Sequence, residues 1–336
     1  MRFRCFSYAR TESLPDGSLL ATWQDFSTTD MISIYRSLDN GFSWFTWYNV
    51  TSDKPGRRVV QPHLLYVNET FGDYQGGALL LAVNAMDNSS TNIEIYASRN
   101  LGETFDFVSH VASGGRANTT NGATPVWEPF LMLYDHKVIC YYSDQRDPEH
   151  GQKLSHQTTK EDFDSWGPTI DDVAMQNYTD RPGMTTVAKL PNGKFILTFE
   201  YAQVDPHGTY HYPIYYKVSS DPENFASESA RRLVVDTGTQ PNGGPYVTWS
   251  PLGGTDGIIV VSDSDSNAVF VNMNLGEGNW TEVRTTAGRA YSREVRIPDK
   301  DTTKLRIAGG AEYGQDTPSQ ILLTVMDLQK ALEISA

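Results

Sequence analysis

The chain has 336 residues, 39% hydrophobic and 12% aromatic, enough for a sizeable core but long for one compact sandwich or barrel, so two domains or one large repeat fold is expected. Acidic residues prevail, and a formal net charge of −14 makes nucleic acid and anionic membrane surfaces poor partners. No run approaches the roughly 18 apolar residues that span a bilayer, and MRFRCFSYAR lacks the apolar centre of a secretory signal, so Met1 is expected to begin a trimmed form.

In chain order, six extended pairs recur. YARTES (8–13) leads through Pro-Asp-Gly into SLLATWQD, ending at Asp25. VVQPHLLYV (59–67) precedes GALLLAVNA (77–85), and TPVWEPFLMLYD (124–135) precedes HKVICYYSD (136–144). RPGMTTVAKL (181–190) passes through Pro-Asn-Gly into KFILTFEY (194–201). GGPYVTWSPL (243–252) precedes DGIIVVSDS (256–264), and YSREVRIPD (291–299) precedes TKLRIAGGAEY (303–313). Apolar, β-branched runs joined by such turns read as hairpins.

A third strand with a characteristic turn follows the first two pairs. In the first, Ser37, Asp39, Gly41, Ser43 and Trp44 match the Asp-box pattern; the second keeps Ser98, Gly102, Thr104 and Phe105, with Asn100 for the acid. Weaker echoes lie in YKVSSDPENF (216–225) and VNMNLGEGNWTEV (271–283). The box is a structural turn, its polar side chains taking up backbone donors. The final SQILLTVMDLQKALEI suits a helix or a closing strand. Six such units predict an all-β, six-bladed β-propeller of four-stranded blades, with residues 1–336 as a single domain; two β-sandwich domains are the rival.

Within each hairpin the start of the first strand and the end of the second share one sheet edge. In a propeller these edges converge on a cup. First-strand starts bring Tyr8, Arg10, Gln61, His63, Trp127, Glu128, Arg181, Tyr246, Tyr291 and Arg293. Second-strand ends bring Asp25, Asn84, Asp144, Glu200, Asp263 and Glu312. No His or Cys cluster has metal-ligand spacing, and no phosphate loop or nucleophile elbow occurs, so neither metal nor cofactor is expected.

Carboxylates beside aromatic platforms suit sugar cleavage, which needs an acid for the leaving oxygen and a second carboxylate for the anomeric centre. Glu128 in VWEPF and Glu200 in TFEYA are the candidate pair, although either could be a strand-end hydrogen-bond acceptor. Arg10, His63, Trp127, Arg181, Tyr246, Tyr291 and Arg293 are the candidate substrate contacts, with His63 and Trp127 equally suited to a core. Asp25, Asp144, Asp263 and Glu312 read as turn formers or solvated carboxylates. Cys5 and Cys140 suit two thiols or one bridge. Six Asn-x-Ser/Thr sequons, at Asn49, Asn68, Asn88, Asn118, Asn177 and Asn279, point to a eukaryotic secretory route.

YARTESLPDGSLLATWQ, the Asp boxes and AYSREVR together resemble the sialidase superfamily, and VWEPF paired with FILTFEYA resembles its exo-α-1,5-L-arabinanases. The resemblance implies a retaining hydrolase that releases arabinobiose or short arabinose units from the non-reducing end of arabinan, as in pectin side chains. With the sequons, a secreted, extracellular protein acting on polysaccharide is expected, and a monomer. The resemblance puts the catalytic glutamates on Glu128 and Glu200. AYS at 290–292 resembles the segment of the sialidase catalytic tyrosine, which implies Glu200 as nucleophile and Glu128 as acid/base; the reverse assignment stays open. Sialidases carry a further early arginine, whereas WQDFSTTDM has none, and Asp30 stands near the place of the sialidase acid. A neutral pentose polymer suits this departure better than an anionic sugar. Sialidase or other exoglycosidase activity, or a carbohydrate-binding propeller without catalysis, are the alternatives.

Overall fold

The predicted apolar runs build six antiparallel sheets in the computed structural model, which describes residues 6–27, 30–159, 162–205, 207–310 and 320–335. The first sheet is β1 (Phe6–Ser13), β2 (Leu19–Asp25), β3 (Met31–Ser37) and β4 (Phe45–Thr51). The second is β5 (Arg58–Val67), β6 (Ala78–Met86), β7 (Ser90–Ser98) and β8 (Asp106–Gly115). The third is β9 (Val126–Tyr134), β10 (Lys137–Asp144), β11 (Lys153–Thr158) and β12 (Ile170–Val173).

In the fourth, β13 (Arg181–Lys189) and β14 (Phe195–Val204) are extended by β15 (Tyr210–His211), which pairs with the end of β14, and continue through β16 (Ile214–Ser219) and β17 (Arg231–Arg232). The fifth is β18 (Tyr246–Ser250), β19 (Ile258–Ser262), β20 (Ala268–Asn272) and β21 (Thr281–Arg284). The sixth is β22 (Glu294–Arg296), β23 (Lys304–Gly309) and β24 (Leu322–Asp327), followed by the helix α1 (Leu328–Ser335). Among the described residues the sixth sheet has three strands. The final segment is both things its pattern allowed, a strand and then a helix seated by the fully buried Leu328.

The chain divides into two compact units, Ala9–Thr179 with the first three sheets and Asp180 onward with the last three, the latter joined by Phe6–Tyr8. Buried apolar cores lie between the successive sheets of the first unit and between the fourth and fifth sheets of the second. In β6 every residue from Ala78 to Ala85 is buried, because Leu79, Leu81 and Val83 pack toward Leu20, Ile32 and Ile34 of the first sheet while Leu80 and Ala82 pack toward Val126 and Val138 of the third. Burial on both faces explains a strand without apolar and polar alternation. In the second unit Ile196 and Tyr216 meet Val247, Val261 and Trp280.

The Asp boxes form the β3–β4 and β7–β8 turns, at the sheet edge opposite the β2 and β6 ends. Asp39 accepts the backbone N–H and hydroxyl of Ser43 (2.8 and 2.6 Å) and the Ser37 hydroxyl (2.8 Å). These donors, that of the Ser43 hydroxyl foremost, lower its pKa to about 2. In the second box Asn100 Oδ1 accepts from Thr104 N and Ser98 Oγ. The echo at 271–283 is a true variant: Asn272 Oδ1 takes the N–H groups of Asn274 and Gly276, and Trp280 is wholly buried behind it. Cys140 is a free, fully buried thiol, and Cys5 lies outside the described residues.

Candidate active site

At the start of the first strand of every sheet one residue adopts a left-handed backbone: Tyr8 (φ 54°), Gln61 (53°), Glu128 (60°), Met184 (59°), Gly244 (44°) and Ser292 (56°). In three sheets the register shows the cause. Val60 faces Asn84 and His63 faces Ala82; Trp127 faces Ser143 and Phe130 faces Tyr141; Gly183 faces Glu200 and Thr186 faces Thr198. Two residues thus oppose one, making bulges of Gln61-Pro62, Glu128-Pro129 and Met184-Thr185. A bulge re-aims side chains, and proline is tolerated there because no ladder bond needs its missing N–H. Each left-handed non-glycine residue costs about 1 kcal/mol.

Glu128 sits half-buried in its bulge. Its carboxylate Oε2 accepts the hydroxyl of the buried Ser143 (2.8 Å) from the facing strand, and its N–H donates to Gln61 Oε1 (3.1 Å). Next to it, the half-buried Trp127 donates from Nε1 to Gln145 Oε1 (2.8 Å).

In the second unit Glu200, 9% exposed, lies near the end of β14 opposite Gly183, whose missing side chain leaves room on that face. Two donors meet its carboxylate. Gly244 N–H reaches Oε2 at 2.6 Å and the Tyr291 hydroxyl reaches Oε1 at 3.2 Å. Such charge-assisted bonds suit an anion. Gly244 is required twice over: its φ is left-handed, and a Cβ there would come 2.7 Å from Ser292 N and 2.9 Å from Ser264 Oγ. Tyr291 is steadied by the edge of Tyr8, ring centroids 5.7 Å apart.

Other expected contacts divide. Arg181 and Tyr291 are partly exposed, whereas Arg10 and Tyr246 are only 5% and 4% exposed, and Arg10 Nη1 donates to Ala9 O (2.8 Å). Arg293 and His63 are both buried. Arg293 donates to the carbonyls of Gly288 and Ala268 and lies 3.8 Å from Asp263, with burial lowering its pKa. His63 is a structural link, 2% exposed, its Nδ1 accepting Leu131 N–H (3.2 Å) and its ring against Phe130.

Asp25 takes the N–H and hydroxyl of Ser27, Asp263 takes the Ser266 hydroxyl, and Asp144 holds Arg146 through both carboxylate oxygens, as turn formers do. Desolvation nevertheless raises the Asp263 pKa. Asp30 is exposed, and Glu312 lies outside the described residues. Among the described residues no group of three or more His, Cys, Asp or Glu could hold a metal ion, and no helix is long and apolar enough to cross a membrane. Ser143 and Gly244 were not singled out from sequence, though the Gly-Gly-Pro run at 243–245 was a signal for the latter.

Comparison with solved structures defines the class first. A Hadza microbial sialidase, 11% identical, matches 97% of this chain and 66% of its own with a TM-score of 0.60, and the chain is an all-β six-bladed β-propeller of sialidase-like fold. Two fungal enzymes are far nearer. A Penicillium chrysogenum α-L-arabinanase, solved with arabinobiose, is 44% identical over 97% of this chain and 94% of that one, with a TM-score of 0.92. A Fusarium graminearum α-L-arabinofuranosidase of glycoside hydrolase family 93, also solved with arabinobiose, is 39% identical over 99% and 96%, with a TM-score of 0.94. The chain therefore belongs to glycoside hydrolase family 93, the exo-α-L-arabinanases and arabinofuranosidases. No family model and no curated protein matches it.

Proposed function

We propose that this chain is a secreted, single-domain exo-α-1,5-L-arabinanase that releases arabinobiose from arabinan with retention of configuration, using Glu200 as nucleophile and Glu128 as acid/base. The observation that carries the activity is its 44% identity, over 97% of the chain, to an arabinanase solved with arabinobiose. The roles rest on the surroundings of the two carboxylates. Glu200 meets two fixed donors, one a backbone N–H, which favour the anion a nucleophile must be. At Glu128 the Ser143 hydroxyl can donate to the carboxylate or accept from the acid, as a group that cycles between both forms requires.

In the first step a Glu200 carboxylate oxygen bonds to the anomeric carbon while the glycosidic C–O bond breaks and Glu128 gives its proton to the departing oxygen. In the second, water attacks the glycosyl ester, its proton passes to Glu128 and the Glu200 oxygen leaves, so two inversions give net retention. The secretory reading is supported by exposure of all six sequon asparagines, five of them in loops and Asn49 on β4.

Azide tests the roles. With an activated arabinobioside, Glu128→Ala in azide should yield an arabinobiosyl azide of retained configuration, and Glu200→Ala an inverted one. The opposite pattern would show the roles reversed. Inactivity of the wild-type protein on debranched arabinan, with release of sialic acid from a fluorogenic sialoside, would refute the substrate assignment.

A further inference from the structure

A bulge leaves its backbone donor without a partner in the ladder. Opposite Trp127 and Phe130 the strand β10 offers Ser143 and Tyr141 as register partners, so Glu128 and Pro129 share the one residue Tyr142 and the ladder is interrupted there. The Glu128 N–H is met instead by a side chain of the preceding sheet, Gln61, whose Oε1 lies 3.1 Å away. Gln61 is itself the left-handed residue of its own bulge, and its N–H is met in the same way by Gln24 Oε1 of the first sheet, at 3.4 Å.

The orientation of the Gln61 amide is fixed from behind. Asn84, wholly buried on β6, donates from Nδ2 both to Gln61 Oε1 (3.0 Å) and to the Val126 carbonyl (3.0 Å), two residues before Glu128. Its Oδ1 is buried with no hydrogen-bond partner among the described residues. An amide that leaves its oxygen unsatisfied while its nitrogen serves two carbonyls is held for its donors. If it turned over, its oxygen would face both carbonyls. Asn84 therefore keeps the Gln61 oxygen, not its NH2 group, directed at Glu128.

We propose that Gln61 and Asn84 are positioning residues for Glu128: an amide clamp that holds the bulge so that this carboxyl, with Ser143 on its other side, is aimed for proton transfer. The clamp rests on the acid/base reading of Glu128. Neither amide needs to touch the sugar. Their effect should fall on steps in which Glu128 moves a proton and spare those in which it does not.

The test compares arabinotriose, whose leaving alkoxide requires an acid, with a dinitrophenyl arabinobioside, whose leaving group does not. Gln61→Ala should lower kcat/KM on arabinotriose by about 10- to 100-fold, mainly in kcat, while kcat/KM on the aryl substrate stays near wild type. Gln61→Glu keeps an acceptor for both hydrogen bonds and should recover most of the loss, with an altered pH profile from the added charge. Asn84→Asp replaces the donor by an acceptor and should repeat the selective defect. The burst of dinitrophenolate counts folded, Glu200-competent sites, and rates are expressed per such site, so unfolding cannot mimic the result. Equal losses on both substrates in Gln61→Ala, with a selective loss in a parallel Glu128→Ala, would overturn the clamp. A non-selective loss in Glu128→Ala itself would overturn the acid/base reading, and the clamp with it.

Discussion

Gly244→Ala tests whether the backbone donor to Glu200 contributes to turnover. The new Cβ would stand 2.7 Å from Ser292 N, about 0.7 Å inside an ordinary contact, and 2.9 Å from Ser264 Oγ. Ser292 N is backbone and cannot swing aside, so the loop at 243–245 must move. A comparable displacement of the Gly244 N–H, now 2.6 Å from Glu200 Oε2, stretches that bond beyond good geometry. A hydrogen bond to a charged group is worth about 1.5–3 kcal/mol, and the left-handed φ of 44° adds about 1 kcal/mol of strain. Expected are a stability loss of about 2–4 kcal/mol and a kcat lowered about 10- to 100-fold, measured by denaturant melts and initial rates on debranched arabinan. Gly193→Ala is the control, with φ 81° and nothing within 4 Å of its Cβ. It carries the strain alone and should keep full kcat. Equal kcat values for Gly244→Ala and Gly193→Ala would refute the reasoning.

Tyr291→Phe removes the second donor to Glu200. It should cost about 1.5–3 kcal/mol in the transition-state barrier, read as kcat/KM, with the melting temperature little changed. Asp39→Asn removes the carboxylate of the first Asp box, whose folded pKa of about 2 lies below its usual 3.8. A depressed carboxylate pKa stabilises the fold above the unfolded value, so the stability gap between wild type and variant should narrow as pH falls from about 4 to 2; a gap that widens in acid would refute this. Burial raises the Cys140 pKa, so iodoacetamide should modify this thiol only after unfolding, as mass spectrometry of native and denatured protein can show.

The first and fourth hairpins were legible because their turns carry Pro-Asp-Gly and Pro-Asn-Gly, and the Asp boxes because a local side-chain network writes itself into a fixed spacing. The final segment stayed open between strand and helix, since the same apolar run serves first one and then the other. The charged positions were harder to read for a related reason. Arg293 lies on the edge where ligand contacts were expected, and the carbonyls of Gly288 and Ala268 that hold its guanidinium have no sequence signature. His63 reads like a pocket histidine until the Leu131 N–H behind it is seen. The bulges were half-written. A proline inside an apolar strand run, as in VVQPH and VWEPF, signals a break in the ladder. Tyr8 adopts the same backbone with no proline in its strand, and at Met184 the proline, Pro182, stands before the bulge and not within it.

The two glutamates are held by different devices, and the difference follows from where each stands. Glu200 belongs to a regular stretch of β14, paired to Gly183 and Ile214, so its backbone needs no help and its carboxylate collects donors brought by later segments of the chain. Glu128 occupies the strained position itself, and its backbone must be satisfied by a side chain before its carboxyl can be aimed. The left-handed position recurs in all six sheets, yet its occupants are tyrosine, glutamine, glutamate, methionine, glycine and serine. What the repeat supplies is therefore a common backbone geometry and not a common chemistry. Residues that act at such positions should depend on the neighbouring sheet for alignment, whereas a residue such as Glu200 should depend on the polarity around its head group. A change at Gln61 and a change at Tyr291 ought accordingly to differ in kind, the first altering how proton transfer responds to the leaving group and the second lowering turnover on every substrate alike.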